Sequence, residues 1–197
     1  MLVKIKPIDK TNIVSYEKDI IEVHKLSHDS YVDVGYIQQQ LDGFLKLNSE
    51  FDSLNETTIL MAIVDKQIVG TCSYTIDSPN LLPIDKDYEY EVNLIRKLNI
   101  MPLVCCWRLA AKKEFPYRNK IIMQLMRELA MSFMIQKDGP LLLAEFNPKH
   151  YSFYNKVWGF LEISSKDSTN GLNNAPSILA ATTPNSYIKA LFKHRIV

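Results

Sequence analysis

The sequence predicts a mixed α/β fold in a single domain, and three patterns predict it. Residues 58–64 and 68–76 read as two strands joined by the polar turn Asp65-Lys66-Gln67. A long amphipathic helix over residues 120–136 separates two apolar runs, residues 103–111 and 141–146. The stretch NPKHYSFYNKVWGF, Asn147 to Phe160, then puts aromatic residues on a short helix that leads through Gly159 into a further strand. Strands interleaved with helices in this way bury a sheet beneath helices.

The elements follow in chain order. Residues 18–30 form a candidate first helix with a diffuse apolar pattern, and the glycines and glutamines of residues 35–43 make a turn-rich connection. Residues 58–64 are continuously apolar, as in a strand buried on both faces, and residues 68–76 alternate, so the pair is an antiparallel hairpin. Residues 77–87, DSPNLLPIDKD, carry two prolines and several turn residues and read as a loop. Over residues 88–99, Tyr88, Val92 and Ile95 fall at i, i+4 and i+7, with Leu94 and Leu98 widening the stripe, so a helix is expected before Pro102. Residues 103–111 are the next strand, and 112–120 a loop containing Pro116. In residues 120–136, Ile121, Leu125, Met126, Leu129 and Ala130 share one face while Gln124, Arg127 and Glu128 lie on another, and Asp138-Gly139-Pro140 stops the helix. A strand over 141–146, a helix over 148–157 ending at Gly159, a strand over 177–181, and a helix from Pro184 with Thr183 as N-cap complete the chain.

Composition narrows the function. A chain of 197 residues, 47% of them hydrophobic, buries a core without disulfides or metals. Its 23 basic and 22 acidic residues cancel to +1, so no global field draws it to nucleic acid or an anionic membrane. No apolar run approaches the roughly 20 residues of a membrane span, and MLVKIKPIDK lacks the apolar core of a secretory signal, so a soluble, cytoplasmic protein is expected. Asn55-Glu56-Thr57 is then an incidental glycosylation match. Three cysteines, Cys72, Cys105 and Cys106, fit neither a disulfide framework nor a zinc spacing and read as reduced, buried small hydrophobes. His24 and His28 share a helix face at i and i+4, but no third ligand is suggested and no metal is expected.

The order strand, basic loop, long helix, strand, short helix and Gly-Phe resembles the acyl-transfer half of the GNAT acyltransferase superfamily. The resemblance implies a central mixed, mostly antiparallel sheet flanked by helices, and assigns roles position by position. Asn147, Phe153, Tyr154, Gly159 and Phe160 match the superfamily's Asn-to-Phe-Tyr-to-Gly-Phe stretch, whose tyrosine serves as acid for the leaving thiolate. Backbone N–H groups of a bulge near Leu109, Ala110 and Ala111 would polarise the thioester carbonyl. The loop that grips the pyrophosphate of coenzyme A carries glycines in acetyltransferases. Here Tyr117-Arg118-Asn119-Lys120-Ile121-Ile122 stands in its place, with Lys120 and Ile122 at the glycine positions. Bulky side chains obstruct that cradle, while Arg118 and Lys120 still suit a single phosphate. Glu145, Glu114 and Glu91 are the candidate bases.

Three segments, VGTCSYTIDSPNLLPIDKDYEYEVNLIRKL, RLAAKKEFPYRNKIIMQLMRELAMSFM and NPKHYSFYNKVWGF, narrow the resemblance to the long-chain N-acyl amino acid synthases, relatives of the acyl-homoserine-lactone autoinducer synthases. That branch implies a bacterial, cytoplasmic enzyme. Its acyl thioester is carried on the phosphopantetheine arm of acyl carrier protein, and its acceptor is the amine of an amino acid or similar small molecule. One departure stands out. Relatives carry Glu-x-Ser-Arg-Leu-Ala on the central strand, and aligning Arg108-Leu109-Ala110 puts Cys105 where the glutamate stands and Trp107 where the serine stands. Arg108 matches. That departure leaves open a catalytically silent acyl-chain-binding protein, and the loop at Tyr117 to Ile122, read as a degenerate one, leaves open an acetyl-coenzyme A-dependent N-acetyltransferase.

Overall fold

The computed structural model describes residues 2–98, 101–134, 139–169 and 172–193. The chain runs β1 (Lys4–Pro7), α1 (Ile13–Asp33), a 3-10 turn (Ser49–Phe51), β2 (Thr57–Val64), β3 (Gln67–Ile76), α2 (Asp85–Leu98), β4 (Leu103–Ala111), α3 (Arg118–Met134), β5 (Leu141–Phe146), α4 (Pro148–Trp158), β6 (Leu161–Lys166), β7 (Ser177–Thr182) and α5 (Pro184–Lys193). The strands form one sheet in the order β1-β2-β3-β4-β5-β7-β6. Pairing is antiparallel for β1/β2, β5/β7 and β6/β7 and parallel for β4/β5, the mixed, mostly antiparallel arrangement expected.

Several boundaries differ from the sequence reading. α1 begins at Ile13, ahead of the predicted Lys18, because Asn12 caps it by accepting from the Ser15 N–H at 3.2 Å. Its first turn exposes Ile13 and Val14, which breaks the apolar period there. α2 begins at Asp85, inside the predicted loop, since Asp85 and Asp87 supply the negative charge that a helix N-terminus favours. Tyr88, the predicted first helical residue, is instead a kink with φ −129 and ψ 37. α3 starts at Arg118 rather than Lys120, so Arg118, Asn119 and Lys120 occupy its first turn and not a loop. The short β1 was not anticipated: of its four residues KIKP only Ile5 is even partly buried, too little for a period to show. The predicted ends of α2 at Asn99 and of α3 at Gln136 lie outside the described residues.

Two compact units divide the chain. The first comprises Met1–Tyr74 and Trp107–Leu129. Its core packs Ile8, Val23, Leu26, Ile59, Met61, Ile68 and Ala110, with Tyr16 and Ile20 against them. Each such aliphatic side chain contributes about 1.5–3 kcal/mol on burial. The β2–β3 connection takes φ of 48 at Asp65 and 66 at Lys66, the paired left-handed residues whose twist matches a tight hairpin. β2 is buried along nearly its whole length, as its unbroken apolar run implied. At Gly70 a Cβ would sit 2.4 Å from Ile121 Cγ2, so glycine here lets α3 lie close on β3.

The second unit comprises Thr75–Cys106 and Ala130–Val197. Asn147 caps α4, accepting from the Lys149 N–H at 3.1 Å while its Nδ2 donates to Pro176 O at 3.3 Å. Pro148 fills the first helical position, and Gly159 ends the helix at φ 68. Tyr151 and Asn155 then fasten the following chain: Asn155 Nδ2 donates to Phe160 O at 2.7 Å and the Glu162 N–H donates to Tyr151 Oη at 2.9 Å. Trp158 is fully buried and stacks on Tyr187 of α5, centroids 4.7 Å apart. A Cβ at Gly159 would fall 2.9 Å from the Ser186 carbonyl oxygen, on a backbone that already disfavours one. Gly159→Ala is therefore expected to cost about 1–3 kcal/mol, read as a lower urea midpoint at unchanged m-value.

Candidate active site

The site in the second unit is built on the alternation of β5. Glu145 lies opposite Leu179 of β7 and Phe146 opposite Ile178, so the two adjacent side chains project to opposite faces of the sheet. Ser177, two residues from Leu179, shares the Glu145 face. The parallel β4/β5 ladder runs from Leu103↔Leu141 to Cys106↔Ala144. Cys105 faces Leu143, which puts its side chain on the Glu145 face, one pleat before the glutamate.

On that face a polar cluster is enclosed in apolar surroundings. Ser177 stands on the same face as Glu145, and Oε1 of Glu145 is sealed from solvent with no hydrogen-bond partner among the described residues. Tyr88, fully buried, brings its Oη within 2.6 Å of Ser177 Oγ. Lys166 of β6 lies over the Tyr88 ring at 4.8 Å from the centroid and donates to the Asp87 carbonyl oxygen beside the kink. Ser164 donates to Glu91 Oε1 at 2.9 Å.

Burial pushes the Glu145 carboxyl up to about 7, the nearby charge of Asp87 adding to it against the opposing effects of Ser177 and Lys166. Burial likewise raises the Tyr88 phenol to about 12, with the Glu145, Asp87 and Glu91 charges contributing, so it stays protonated near neutrality. A carboxyl poised near neutral pH with one oxygen awaiting a donor is suited to general-base work. Arg96 anchors this edge of the unit. Its guanidinium donates to Asp77 at 2.7 and 2.9 Å and to Asp85 at 2.6 and 2.7 Å, tying the loop before α2 to the helix itself.

The opposite face is aromatic. The Tyr154 ring stacks on Phe146 with centroids 4.2 Å apart and planes at 15°, and Phe160 meets Phe146 edge-on at 4.9 Å. Phe153 is exposed and touches Tyr154 edge-on at 5.3 Å. The sheet thus brings Tyr154, Phe153 and Asn147 together on the α4 side and puts Glu145 on the other. Cys105 and Cys106 are buried and unbridged, as read from the sequence. Burial holds both thiols well above their usual range, Cys106 at about 12, so Cys105 presents a neutral thiol on the Glu145 face.

The remaining sequence candidates belong to the first unit. Arg108, at φ 52, interrupts the extended backbone of β4 with a left-handed residue immediately before Leu109, Ala110 and Ala111. Its guanidinium is buried, donating to both Asp52 oxygens at 2.7 and 3.0 Å, with Nε unpartnered among the described residues. Asp52 Oδ2 also lies 2.8 Å from His24 Nε2, so His24 shares the carboxylate that holds Arg108. His28 is buried and accepts from the Gln40 N–H at 3.1 Å. In the first turn of α3 the Arg118 N–H donates to Phe115 O and the Ile121 N–H to Tyr117 O, and the Ile121 side chain is fully buried. Asn119 and Lys120 are exposed. Glu114 is exposed as well.

Sequence reading did not single out Ser177, or Asp52. Only the alternation of residues 177–181 placed Ser177 on the Glu145 face, and nothing in the turn around Asp52 named Arg108 as its partner. Tyr88 was seen as one member of an apolar stripe.

Comparison with known proteins decides the family. The family model described as N-acyl amino acid synthase FeeM matches residues 22–183, most of the chain. The chain belongs to the N-acyl amino acid synthase family. This N-acyltransferase shares its fold with FeeM itself, an N-acyl amino acid synthase from uncultured soil microbes, at TM-score 0.75 and 19% identity over 100% of this chain and 98% of that one. It is also similar to BjaI, a CoA-dependent acyl-homoserine lactone synthase, at TM-score 0.67 and 15% identity over 97% and 89%. ElaA of Escherichia coli follows at TM-score 0.60 and 12% identity over 91% and 99%. No curated protein matches the chain. Among the described residues no helix is long and apolar enough to cross a membrane.

Proposed function

We propose that this N-acyltransferase moves a long-chain fatty acyl group from the phosphopantetheine thioester of acyl carrier protein to the amine of an amino acid or similar small amine, with Glu145 as base and Tyr154 as acid. The observation that carries the reading is the place of Glu145: it stands on the same face of the sheet as Cys105, on the adjoining strand and one pleat further on. The carboxylate that relatives carry on the central strand is thus supplied from the next one.

The step balances simply. The amine nitrogen attacks the thioester carbon as Glu145 takes its proton, and the tetrahedral intermediate collapses with cleavage of the C–S bond while Tyr154 protonates the departing sulfur. The products are an amide and a free thiol, and both residues reset by exchange with water. Backbone N–H groups of Leu109–Ala111, which follow the left-handed Arg108, are the proposed donors to the carbonyl oxygen. Arg118 and Lys120, at the start of α3, are the proposed partners of the arm's phosphate, with the Asn119 and Ile121 backbone beside them.

The test is incubation with acyl carrier protein bearing chains of graded length and a pool of amino acids, followed by mass analysis for N-acyl products. The expected result is a mass increase of one acyl group on an amine. Turnover with acyl-coenzyme A alone moves the donor to coenzyme A, and no thioester loss with either donor favours the silent acyl-binding protein. Tyr154→Phe keeps the ring stack on Phe146 and removes the phenol hydroxyl. It is expected to lower kcat about 10- to 100-fold with little change in KM, most strongly for donors with poor thiol leaving groups.

A further inference from the structure

We propose that Gly70 is a positioning residue for the phosphopantetheine arm of the donor: its bare Cα sets how close the first turn of α3, with Arg118 and Lys120, lies to the end of β4. This rests on the reading that Leu109–Ala111 meet the thioester carbonyl while Arg118 and Lys120 pair with the phosphate, and it adds what fixes their separation. An arm of set covalent length, gripped at both ends, binds well only when the two grips stand at the matching spacing. Both grips converge on Gly70. A Cβ built there would meet Ala110 O at 3.2 Å, on the carbonyl side. It would also meet Ile121 Cγ2 at 2.4 Å and Leu125 Cδ1 at 3.2 Å, on the helix that carries Arg118 and Lys120. The backbone at Gly70 is outside the left-handed region, so a side chain is opposed there by space alone.

The two sides differ in what they can yield. The end of β4 is pinned from two directions. The Lys112 N–H donates at 2.9 Å to Val69 O, the carbonyl just before Gly70, and Ser30 Oγ of α1 donates at 3.2 Å to Ala111 O. Ala110 and Ala111 are themselves buried and have no side chain to swing aside. On the helix side Ile121 and Leu125 are fully buried. Ile121 branches at Cβ, and a helix leaves such a side chain one strongly preferred χ1, so Cγ2 does not rotate away from an atom 2.4 Å off. What gives is therefore α3. Its first turn, where Arg118 and Lys120 stand within three residues of Ile121, lifts with it. The phosphate grip then moves away from the carbonyl donors while both cations keep their charge.

The experiment measures, by calorimetry and without an amine, the binding of lauroyl-phosphopantetheine and of lauroyl-pantetheine, which lacks the phosphate, to the full chain and to Gly70→Ala. Wild type is expected to favour the phosphorylated thioester about tenfold, the worth of a charge-assisted hydrogen bond. Gly70→Ala is expected to lose most of that preference while its Kd for lauroyl-pantetheine stays within about twofold of wild type. A preference kept in full by Gly70→Ala overturns the proposal, and so does an equal weakening of both thioesters, which is what a packing role alone gives. Ile121→Ala removes Cγ2, so adding it to Gly70→Ala is expected to restore the preference; a double variant still without it overturns the proposal. Should Gly70→Ala not fold, the double variant decides alone, a preference as strong as that of wild type supporting the proposal and a weaker one overturning it. Wild type without a preference for phosphate is the separate failure of the reading of Arg118 and Lys120, visible before any variant is made, and the proposal falls with it.

Discussion

Glu145→Gln is expected to lower kcat/KM at pH 7 by about 10²- to 10³-fold, the usual contribution of a positioned general base. The same variant is expected to gain stability in alkali, and the two effects share one cause. In the folded chain burial raises the carboxyl to about 7, above its ordinary 4.5. A group whose folded value is raised contributes stability that is full below the unfolded value and is lost as pH rises through the folded one. The window is therefore from about 4.5 to about 7, and above it the native state carries a cost of about 3 kcal/mol. Glutamine never ionises, so the variant escapes that cost. Urea titrations at pH 5 and pH 8 should show little difference at the lower pH and a more stable variant at the higher. Wild-type acyl transfer should fall as pH drops through about 7, a limb that Glu145→Gln lacks. Full acyl transfer by the variant would show that Glu145 is not the base, and a variant no more stable at pH 8 would mean that the carboxylate is already paired in solution.

The order of elements was readable because each carries a strong local signal. Alternation marked β3, the apolar stripe marked α3, and Asn147-Pro148 with Gly159 bracketed α4 as cap, first turn and terminator. Tyr154 and Glu145 were named from the sequence, since the superfamily's stretch and the end of an apolar strand point to them. What surrounds them was not readable. Ser177 lies far along the chain from Glu145 and reaches it only through the register of β5 on β7, a quantity that no local pattern encodes. The kink at Tyr88 is equally silent: helical spacing survives it, and only the backbone angles reveal that the first turn and the body of α2 are offset. α1 was blurred for a different reason, because its exposed Ile13, Val14 and Ile21 break the contrast between an apolar and a polar face.

Arg108→Met is expected to destabilise the chain by about 3–5 kcal/mol, more than any other single change considered, because it takes from the buried Asp52 carboxylate both guanidinium hydrogen bonds and leaves only His24 against it. Asp52 is 6% exposed at its side chain and Arg108 only 1%, so neither can turn to water when its partner is removed. The guanidinium also lies 4.3 Å from the Trp107 ring centroid, a cation–π contact that methionine does not reproduce. Removing both charges is a different matter. Asp52→Leu combined with Arg108→Met leaves no unpaired ion, and the double variant should recover most of the loss, a coupling readable from urea midpoints of the four proteins in a cycle. His24 then loses the carboxylate at 2.8 Å, but its side chain is 14% exposed and retains some access to water. The cycle also separates stability from catalysis. Arg108 takes φ 52 just before Leu109, Ala110 and Ala111, the backbone proposed to polarise the thioester carbonyl. If the ion pair serves to hold that left-handed turn, the double variant recovers its fold and still transfers acyl groups slowly, kcat falling with the loss of oriented N–H donors. Full activity in the refolded double variant would reduce the pair to a packing device and shift the carbonyl's donors elsewhere.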